Sequence, residues 1–235
     1  MKTRQYGLTM VELMVSLVLS LFLILVAAQF FIANKTSYRT QQAQADVQER
    51  GRFAITWLGQ QIRQAGYAAN SEITTSYATL YPALTASGSV LAMSASQVFA
   101  GTSSTLQLRV RGADDGNIVD CSGQGLSTGT SRTHVIDLSS NSLRCDGTEV
   151  VPGVTQLVFQ YGQDTTADRI PDSYVSTAPA SGVYAIRVCM VVQSLDNNVA
   201  PSAVSFTDCN NAASSTSNNR IAKVFRTSVY VRNAP

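Results

Sequence analysis

The sequence has few of the residues from which catalytic and metal sites are usually built. Its 235 residues include one histidine, His134, and four cysteines that form no CxxC pair. It contains no HExxH motif and no glycine-rich phosphate-binding loop. His134 lies on a predicted strand without a Ser, Cys or Asp motif around it, so we interpret it as a hydrogen-bonded polar residue at a sheet edge rather than a general base. The sequence therefore predicts no enzymatic activity, no cofactor and no zinc site.

Charged residues are also scarce, at 14% of the chain against about 25% in typical soluble domains. Beyond residue 66, ten Lys and Arg are balanced by twelve Asp and Glu. A nucleic-acid-binding domain would be basic, so the composition argues against nucleic acid as a partner. Arg220, Arg226 and Arg232 form an outward basic row on the predicted last strand, but three arginines are a weak phosphate-binding footprint. Solvated charges or salt bridges to a neighbouring chain explain them better.

One acidic loop is a candidate for calcium. Asp164, Asp168 and Asp172 lie between two predicted strands, in QDTTADRIPDSY. Calcium needs several converging oxygen ligands, and the spacing of four departs from the alternate-residue DxDxDG pattern with its glycine turn. We therefore interpret this segment as a solvated acidic loop, with calcium as the weaker alternative.

The segment from Leu8 to Arg50 begins with many apolar side chains and lacks helix breakers. No glycine or proline occurs between Leu8 and Gly51, and no charged residue occurs from Leu13 to Ala28. At about 1.5 Å of rise per residue, the apolar segment from Leu8 to Ala33 spans a hydrocarbon core of about 30 Å as a helix. The sequence therefore predicts a membrane-spanning segment.

Helical periodicity continues beyond the apolar segment. Apolar residues recur there in steps of three, four or seven, and Gly66 offers a C-terminal stop. We predict one helix from about Leu8 to Ala65, roughly 85 Å long, with an apolar first half and an amphipathic second half that Gly51 loosens. The residues of the predicted buried stripe are Ala43, Val47, Ala54, Leu58, Ile62 and Ala65.

An acidic residue lies near the start of the apolar segment. Glu12 follows a short basic leader, MKTRQYG, by five residues. An ionised carboxylate in a membrane helix costs about 2.5–3.5 kcal/mol, so a partner or a function should compensate it. Two ordinary alternatives are a secretory signal peptide cleaved after Ala28 and a plain signal anchor. The length of the apolar segment disfavours the first, and the rarity of such acids disfavours the second.

The segment Gly7-Leu8-Thr9-Met10-Val11-Glu12-Leu13 resembles the type III signal of type IV pilins and pseudopilins, a glycine followed by a sequence close to FTLIE. The resemblance implies that prepilin peptidase cleaves after Gly7. It also implies that Leu8, in the place of the usual Phe, becomes the N-methylated first residue. Glu12 would then pair with the amine of a neighbouring subunit's first residue, a role in assembly rather than in catalysis.

Four later segments resemble the PilW-like minor pilins in order and spacing: residues 58–67, LGQQIRQAGY; residues 152–165, PGVTQLVFQYGQDT; the strand around AIRVCMVV; and the closing FRTSVYVRN. The J-type minor pseudopilin of type II secretion is a close relative that fits the same features. The resemblance implies an α+β, pilin-like fold, with one long N-terminal helix packed on an antiparallel β-sheet domain. Its parts would be a leader (1–7), a transmembrane and assembly half of the helix (8–33), an amphipathic half (34–66) and a periplasmic or extracellular β-rich domain (67–235).

Alternating side chains predict several antiparallel strands beyond residue 104, whereas residues 67–104 are interpreted as loop with short pieces of structure. HVIDL and LRC, joined by Ser139-Ser140-Asn141, are predicted to form a hairpin. Gln107 and Arg109 are predicted to face away from the buried side of their strand. The predicted inward rows are Leu106, Leu108 and Val110; Leu157, Phe159 and Tyr161; Tyr184, Ile186, Val188, Met190 and Val192; and Ile221, Phe225, Val229 and Val231.

All four cysteines follow the membrane segment, and in an exported domain they are expected to form disulfides. Sequence neighbours would pair Cys121 with Cys145 and Cys189 with Cys209, although other connectivities stay open. Cys189 is predicted to lie on the face of its strand opposite the inward row. Closing each loop would contribute about 3 kcal/mol in the chain-entropy model.

The sequence and the resemblance together predict a structural minor pilin of the type IV pilus. It would be a single-pass inner-membrane protein with its domain in the periplasm before assembly, and part of the pilus at the cell surface afterwards. The implied partners are other minor pilins, the major pilin, prepilin peptidase and the inner-membrane assembly platform. The implied role is priming of assembly near the tip, with effects on twitching motility, adhesion or DNA uptake. The alternatives are a type II secretion pseudopilin and a membrane-anchored adhesin that binds its ligand through loops 67–104 and 194–219.

Overall fold

A computed structural model describes residues 7, 9–72 and 74–233 of the chain. It begins with a single helix, α1 (Met10–Gln64), of 55 residues, which is about 83 Å at the standard rise. The helix ends where Ala65 becomes extended, with φ −61° and ψ 142°. Gly66 follows with φ +71°, a conformation that favours glycine. The predicted helix and its stop are confirmed over the described residues.

The second half of α1 buries the predicted stripe against the rest of the chain. Val47, Ala54, Leu58 and Ile62 are each at most 1% exposed. α1 runs through Gly51 without interruption, and the cost of this glycine to helix stability stays a prediction. The ring of Phe225 occupies the position that a β-carbon at Gly51 would take.

The domain contains two main antiparallel sheets and short connecting elements. The strands are β1 (Phe99–Thr102), β2 (Thr105–Arg111), β3 (Ser131–Ser139), β4 (Ser142–Cys145), β5 (Thr148–Pro152), β6 (Val154–Gln163), β7 (Ser173–Val175), β8 (Val183–Gln193), β9 (Ser205–Thr207), β10 (Ala213–Ser215) and β11 (Ala222–Tyr230). A 3₁₀ turn (Asn70–Glu72) and a short helix α2 (Tyr77–Leu80) precede them. The first sheet has the order β1-β2-β3-β4-β5, and the second has the order β11-β8-β6-β7, with β9 and β10 forming a separate hairpin.

One hydrophobic core joins the helix and both sheets. The helix packs mainly on β11 and β8, and β6 contacts β2, β3 and β4 of the other sheet. The inward rows predicted for β2, β6, β8 and the last strand lie in or against this core, except that Tyr184 is half-buried and lies outside it. Phe225 packs against the core and is also only half-buried. The α+β fold with a long helix on antiparallel sheets is therefore confirmed.

The predicted hairpin of β3 and β4 is present and turns through Ser140 and Asn141. Both residues have positive φ, 53° and 56°, as a two-residue type I′ turn requires. This turn fixes the register in which Leu138 lies opposite Leu143.

The face of β2 opposite its apolar row is buried, which the alternation alone does not predict. Gln107 and Arg109 are 1% and 4% exposed. The Gln107 amide bonds both backbone groups of Leu91, at 2.6 and 2.9 Å, and Arg109 Nη1 donates to the carbonyl of Pro82 at 2.8 Å. The segment between α2 and β1 thus covers this face, and its carbonyls satisfy the polar side chains beneath it.

Candidate assembly site

The first half of α1 is an apolar surface that the described chain leaves uncovered. An 18-residue window of the helix has a mean hydropathy of 2.6 and no buried residue, so the helix is long and apolar enough to cross a membrane. Large side chains such as Phe22, Leu23 and Ile24 are 64–67% exposed. A patch of this size in a folded chain indicates contact with lipid or with other apolar helices.

Glu12 lies at the amino-terminal end of this surface, and Thr9 holds its carboxylate. The backbone N–H and the hydroxyl of Thr9 both donate to Glu12 Oε2 at 3.1 Å, and the N–H of Glu12 donates back to Thr9 Oγ1 at 3.3 Å. This reciprocal capping box satisfies helix-end donors and places a negative charge where the helix dipole favours it. Sequence reasoning missed Thr9, although Thr-x-x-Glu before an apolar segment is the signal of a capping box.

The predicted processing site is described only in part. Gly7 is exposed, whereas Leu8 and the leader residues 1–6 lie outside the described residues. Cleavage after Gly7, methylation of Leu8 and pairing of Glu12 with a neighbouring amine stay predictions.

Hydroxyl groups within the apolar half are satisfied by the helix itself. Ser16 Oγ donates to the carbonyl of Leu13 and Ser20 Oγ to that of Leu17, each at 2.9 Å. Because these donors are already bonded, they can face lipid or another helix at low cost.

Side-chain contacts fix the second half of α1 to the domain along its length. Thr40 Oγ1 donates to the carbonyl of Val199 at 2.6 Å, near the apolar half. Arg50 donates to the carbonyls of Pro152 and Gln193, at 2.9 and 3.2 Å. At the other end, Gln64 Nε2 donates to the carbonyl of Val119 at 2.6 Å. The domain is therefore fixed to the second half of α1. The apolar first half of the same helix can anchor both of them.

The four cysteines form two disulfides in the structure, in the pairing of sequence neighbours. The Cα atoms of Cys121 and Cys145 are 6.0 Å apart, and those of Cys189 and Cys209 are 5.6 Å apart. The first bond joins the β2–β3 connection to the end of β4. The second ties the β9–β10 hairpin to β8, on the face opposite the core.

The acidic loop uses its carboxylates to hold its own turns. Asp164 accepts three backbone N–H groups, including that of Arg169 at 2.7 Å, and Asp168 accepts that of Ile170 at 2.8 Å. Hydrogen bonds from the N–H and the hydroxyl of Thr165 hold the pKa of Asp172 below its usual range. These internal bonds support the interpretation as an acidic loop over a calcium site.

The predicted position of His134 is wrong, because β3 lies between β2 and β4 and the side chain is 3% exposed. Its Nδ1 lies 2.6 Å from Asp146 Oδ2, and Asp146 also accepts the N–H of Val135. Potential metal-ligand atoms of His134, Asp146, Cys121 and Cys145 lie within 4.8 Å of one another. The two sulfurs are bonded to each other, so they are not the thiolates that a zinc site needs.

Of the three arginines predicted to form a basic row on the last strand, only Arg226 lies within β11. Arg220 precedes β11 and donates to Asn197, while Arg232 follows the strand. Arg226 instead shares a sheet face with Arg187 of β8, a pairing that sequence reasoning missed because it depends on strand register.

Comparison with known families identifies both ends of the chain. Residues 2–28 match the prokaryotic N-terminal methylation motif. Residues 128–233 match the type IV pilus-assembly protein W family, PilW. The two matches show a PilW-like type IV pilus-assembly protein with a prepilin-type amino terminus. PilW is a structural protein family, and the two matches confirm the resemblances carried by the C-terminal strands and by the leader motif.

A solved type IV-like pilin from Thermus thermophilus is similar in fold to this chain. The two share 14% sequence identity with a TM-score of 0.50, over 81% of this chain and 96% of that pilin. At this identity the likeness supports the pilin fold alone. A comparison with curated proteins gives no match.

Proposed function

We propose that this PilW-like chain is a minor pilin that joins a type IV pilus by burying the first half of α1 among the helices of other subunits. The observation that carries the proposal is an uncovered apolar half-helix that contains most of the methylation-motif match and is continuous with a half that is fixed to the domain. Such a helix serves first as a membrane anchor and then as the packing surface of a fibre. The chain has a structural role, and we propose no catalytic one.

The proposed path begins in the inner membrane, with the domain in the periplasm. Prepilin peptidase removes the leader after Gly7, and Leu8 becomes the methylated amino terminus. The assembly platform then transfers the subunit to the fibre, where it contacts other minor pilins and the major pilin. Lipid tails are as apolar as the helix, so burial of apolar area alone does not drive this transfer, and close packing and polar pairs must favour it.

Glu12 supplies such a pair in this proposal. In the single subunit the donors to its carboxylate among the described residues are the neutral groups of Thr9. The amine of a neighbouring subunit's Leu8 would bring a positive charge to the same oxygens, and a charge-assisted hydrogen bond is about twice as strong as a neutral one. When the amine replaces Thr9 as the donor to the Glu12 carboxylate, the assembled state is favoured. The pair also sets the register between helices.

We further propose that the chain takes part in priming pilus assembly, close to the tip. Removing a primer reduces the number of fibres rather than their length, so deletion of the gene should lower the number of surface pili per cell severalfold. Electron microscopy of pili, with twitching motility as a second measure, tests this in the source organism. A plasmid copy of the full chain should restore both, and type II secretion should be unchanged. Normal pili with defective secretion would instead identify a pseudopilin.

A further inference from the structure

The outer face of the second sheet carries a groove of about 430 Å³, which we call the arginine groove. Two neighbouring cross-strand rows form its floor. Gln160, Arg187 and Ser228 lie opposite one another in one row, and Val158, Cys189 and Arg226 in the next. Arg187 and Arg226 therefore stand on adjacent strands, one row apart, on the face that α1 does not cover.

One end of the arginine groove is closed by a fixed wall. The Cys189–Cys209 disulfide ties residues 208–212 to β8, and the N–H of Cys209 donates to Gln156 Oε1 at 3.0 Å. Asn211, in this wall, also lines the groove. The wall is thus held by a covalent bond and a side-chain hydrogen bond on the sheet itself.

Both guanidinium groups are oriented but carry no carboxylate partner among the described residues. Arg226 Nη2 donates to the backbone carbonyl of Asp208 at 2.7 Å. The guanidinium of Arg187 lies 3.4 Å from the centre of the Tyr174 ring. Because they are already held, these groups lose little conformational entropy when they bind a ligand.

The charge of the groove is positive. Its lining contains two arginines and no Asp or Glu. The nearest acid in the wall, Asp208, accepts the N–H groups of Ala212 and Asn210, which hold its pKa below the usual range. Its carboxylate is therefore turned into its own loop and compensates Arg226 only in part.

The chemistry of the lining fits an acidic sugar. A guanidinium binds a carboxylate with two parallel hydrogen bonds, and the amides of Gln160 and Asn211 with the hydroxyl of Ser228 can bond sugar hydroxyls. Tyr230 lies on the same face beyond Ser228, is 63% exposed and offers a flat ring at the edge of the groove. We propose that the arginine groove binds a carboxylate-bearing saccharide, such as a uronic acid oligomer.

The size and charge of the groove favour a saccharide over nucleic acid. Its volume falls in the range of about 300–1,000 Å³ typical of small-ligand sites. Proteins that track a phosphate backbone use a longer series of basic and stacking groups than two arginines. The inference does not depend on which fibre the chain joins.

Calorimetric titration of the full chain in detergent micelles tests the proposal, with trigalacturonate as the probe and neutral maltotriose as its control. Trigalacturonate should bind at low salt and maltotriose should not. Arg187→Gln and Arg226→Gln should each weaken binding by about tenfold or more, since each removes a hydrogen bond between charged groups. Arg187→Lys, which keeps the charge without the planar fork, should give an intermediate affinity.

Arg132→Gln is the matched control, because Arg132 is exposed on β3 of the other sheet. It should bind trigalacturonate as the unchanged chain does. Retention of the Cys189–Cys209 bond in each variant, checked by mass spectrometry, shows that the wall is intact. Absence of trigalacturonate binding, or equal binding by all variants, would overturn the proposal. Tighter binding of a short oligothymidylate through the same arginines would replace it with a nucleic-acid site.

Discussion

Replacing Glu12 with Gln should leave cleavage after Gly7 intact and lower the amount of the chain in sheared pili by at least about tenfold, since loss of one partner from a buried ion pair costs about 3–5 kcal/mol. The amide can still accept the hydrogen bonds that Thr9 donates to the carboxylate. It cannot compensate the positive amine of a neighbouring subunit in a site without water. The defect should therefore appear in assembly and not in the single subunit.

Quantitative immunoblotting of membranes and sheared pili measures this effect. Ser16→Ala is the matched control, because Ser16 lies one turn further along the same apolar helix and its hydroxyl is bonded within that helix. The control should enter pili normally. Equal amounts of the Glu12→Gln chain and the control in pili would show that the carboxylate has no role in assembly.

Replacing Gly51 with Ala should lower the free energy of unfolding, although alanine is the better helix former. A β-carbon at this position would overlap the edge of the Phe225 ring, and overpacking of this kind costs about 1–3 kcal/mol. The gain in helix propensity is about 1 kcal/mol, so a net loss of up to about 2 kcal/mol is expected. The loss is expected because the added carbon pushes α1 away from β11, the strand on which the helix mainly packs.

Gly59→Ala is the matched control on the same helix. Its β-carbon would meet the guanidinium of Arg63 at 3.1 Å, the end of a side chain that can move. This substitution should therefore raise the free energy of unfolding, whereas Gly51→Ala should lower it. Urea unfolding of the full chain in micelles, followed by fluorescence of the single tryptophan, Trp57, measures both. Added Phe225→Leu should recover stability in the Gly51→Ala chain, and stabilisation by Gly51→Ala alone would refute the close packing.

Local sequence signals predicted the helix and strands well because they depend on periodicity. The spacing of Val47, Ala54, Leu58 and Ile62 requires one buried helical stripe, and alternation in β6 and β8 requires inward rows. Neither depends on which strands are neighbours, and both are present in the structure.

The remaining features depend on contacts between distant segments. Gln107 and Arg109 are buried because a segment without periodicity folds over them. Gly51 is required by a ring that lies 174 positions later in the chain. Arg187 and Arg226 share a face because of the register between β8 and β11. His134 is enclosed because β3 is an inner strand. Sequence patterns show which residues of one strand share a face. Which residues of different strands come together depends on how the strands pair.

Mass spectrometry of the amino terminus shows whether the chain is processed as a prepilin and buried in a fibre by its N-terminal helix. The measurement should be made on chain recovered from membranes and from sheared pili. We expect N-methylated Leu8 as the first residue in both fractions. An intact Met1, or a first residue of Gln29, would contradict it, since either would leave an ordinary anchor or a secreted domain in place of a pilin.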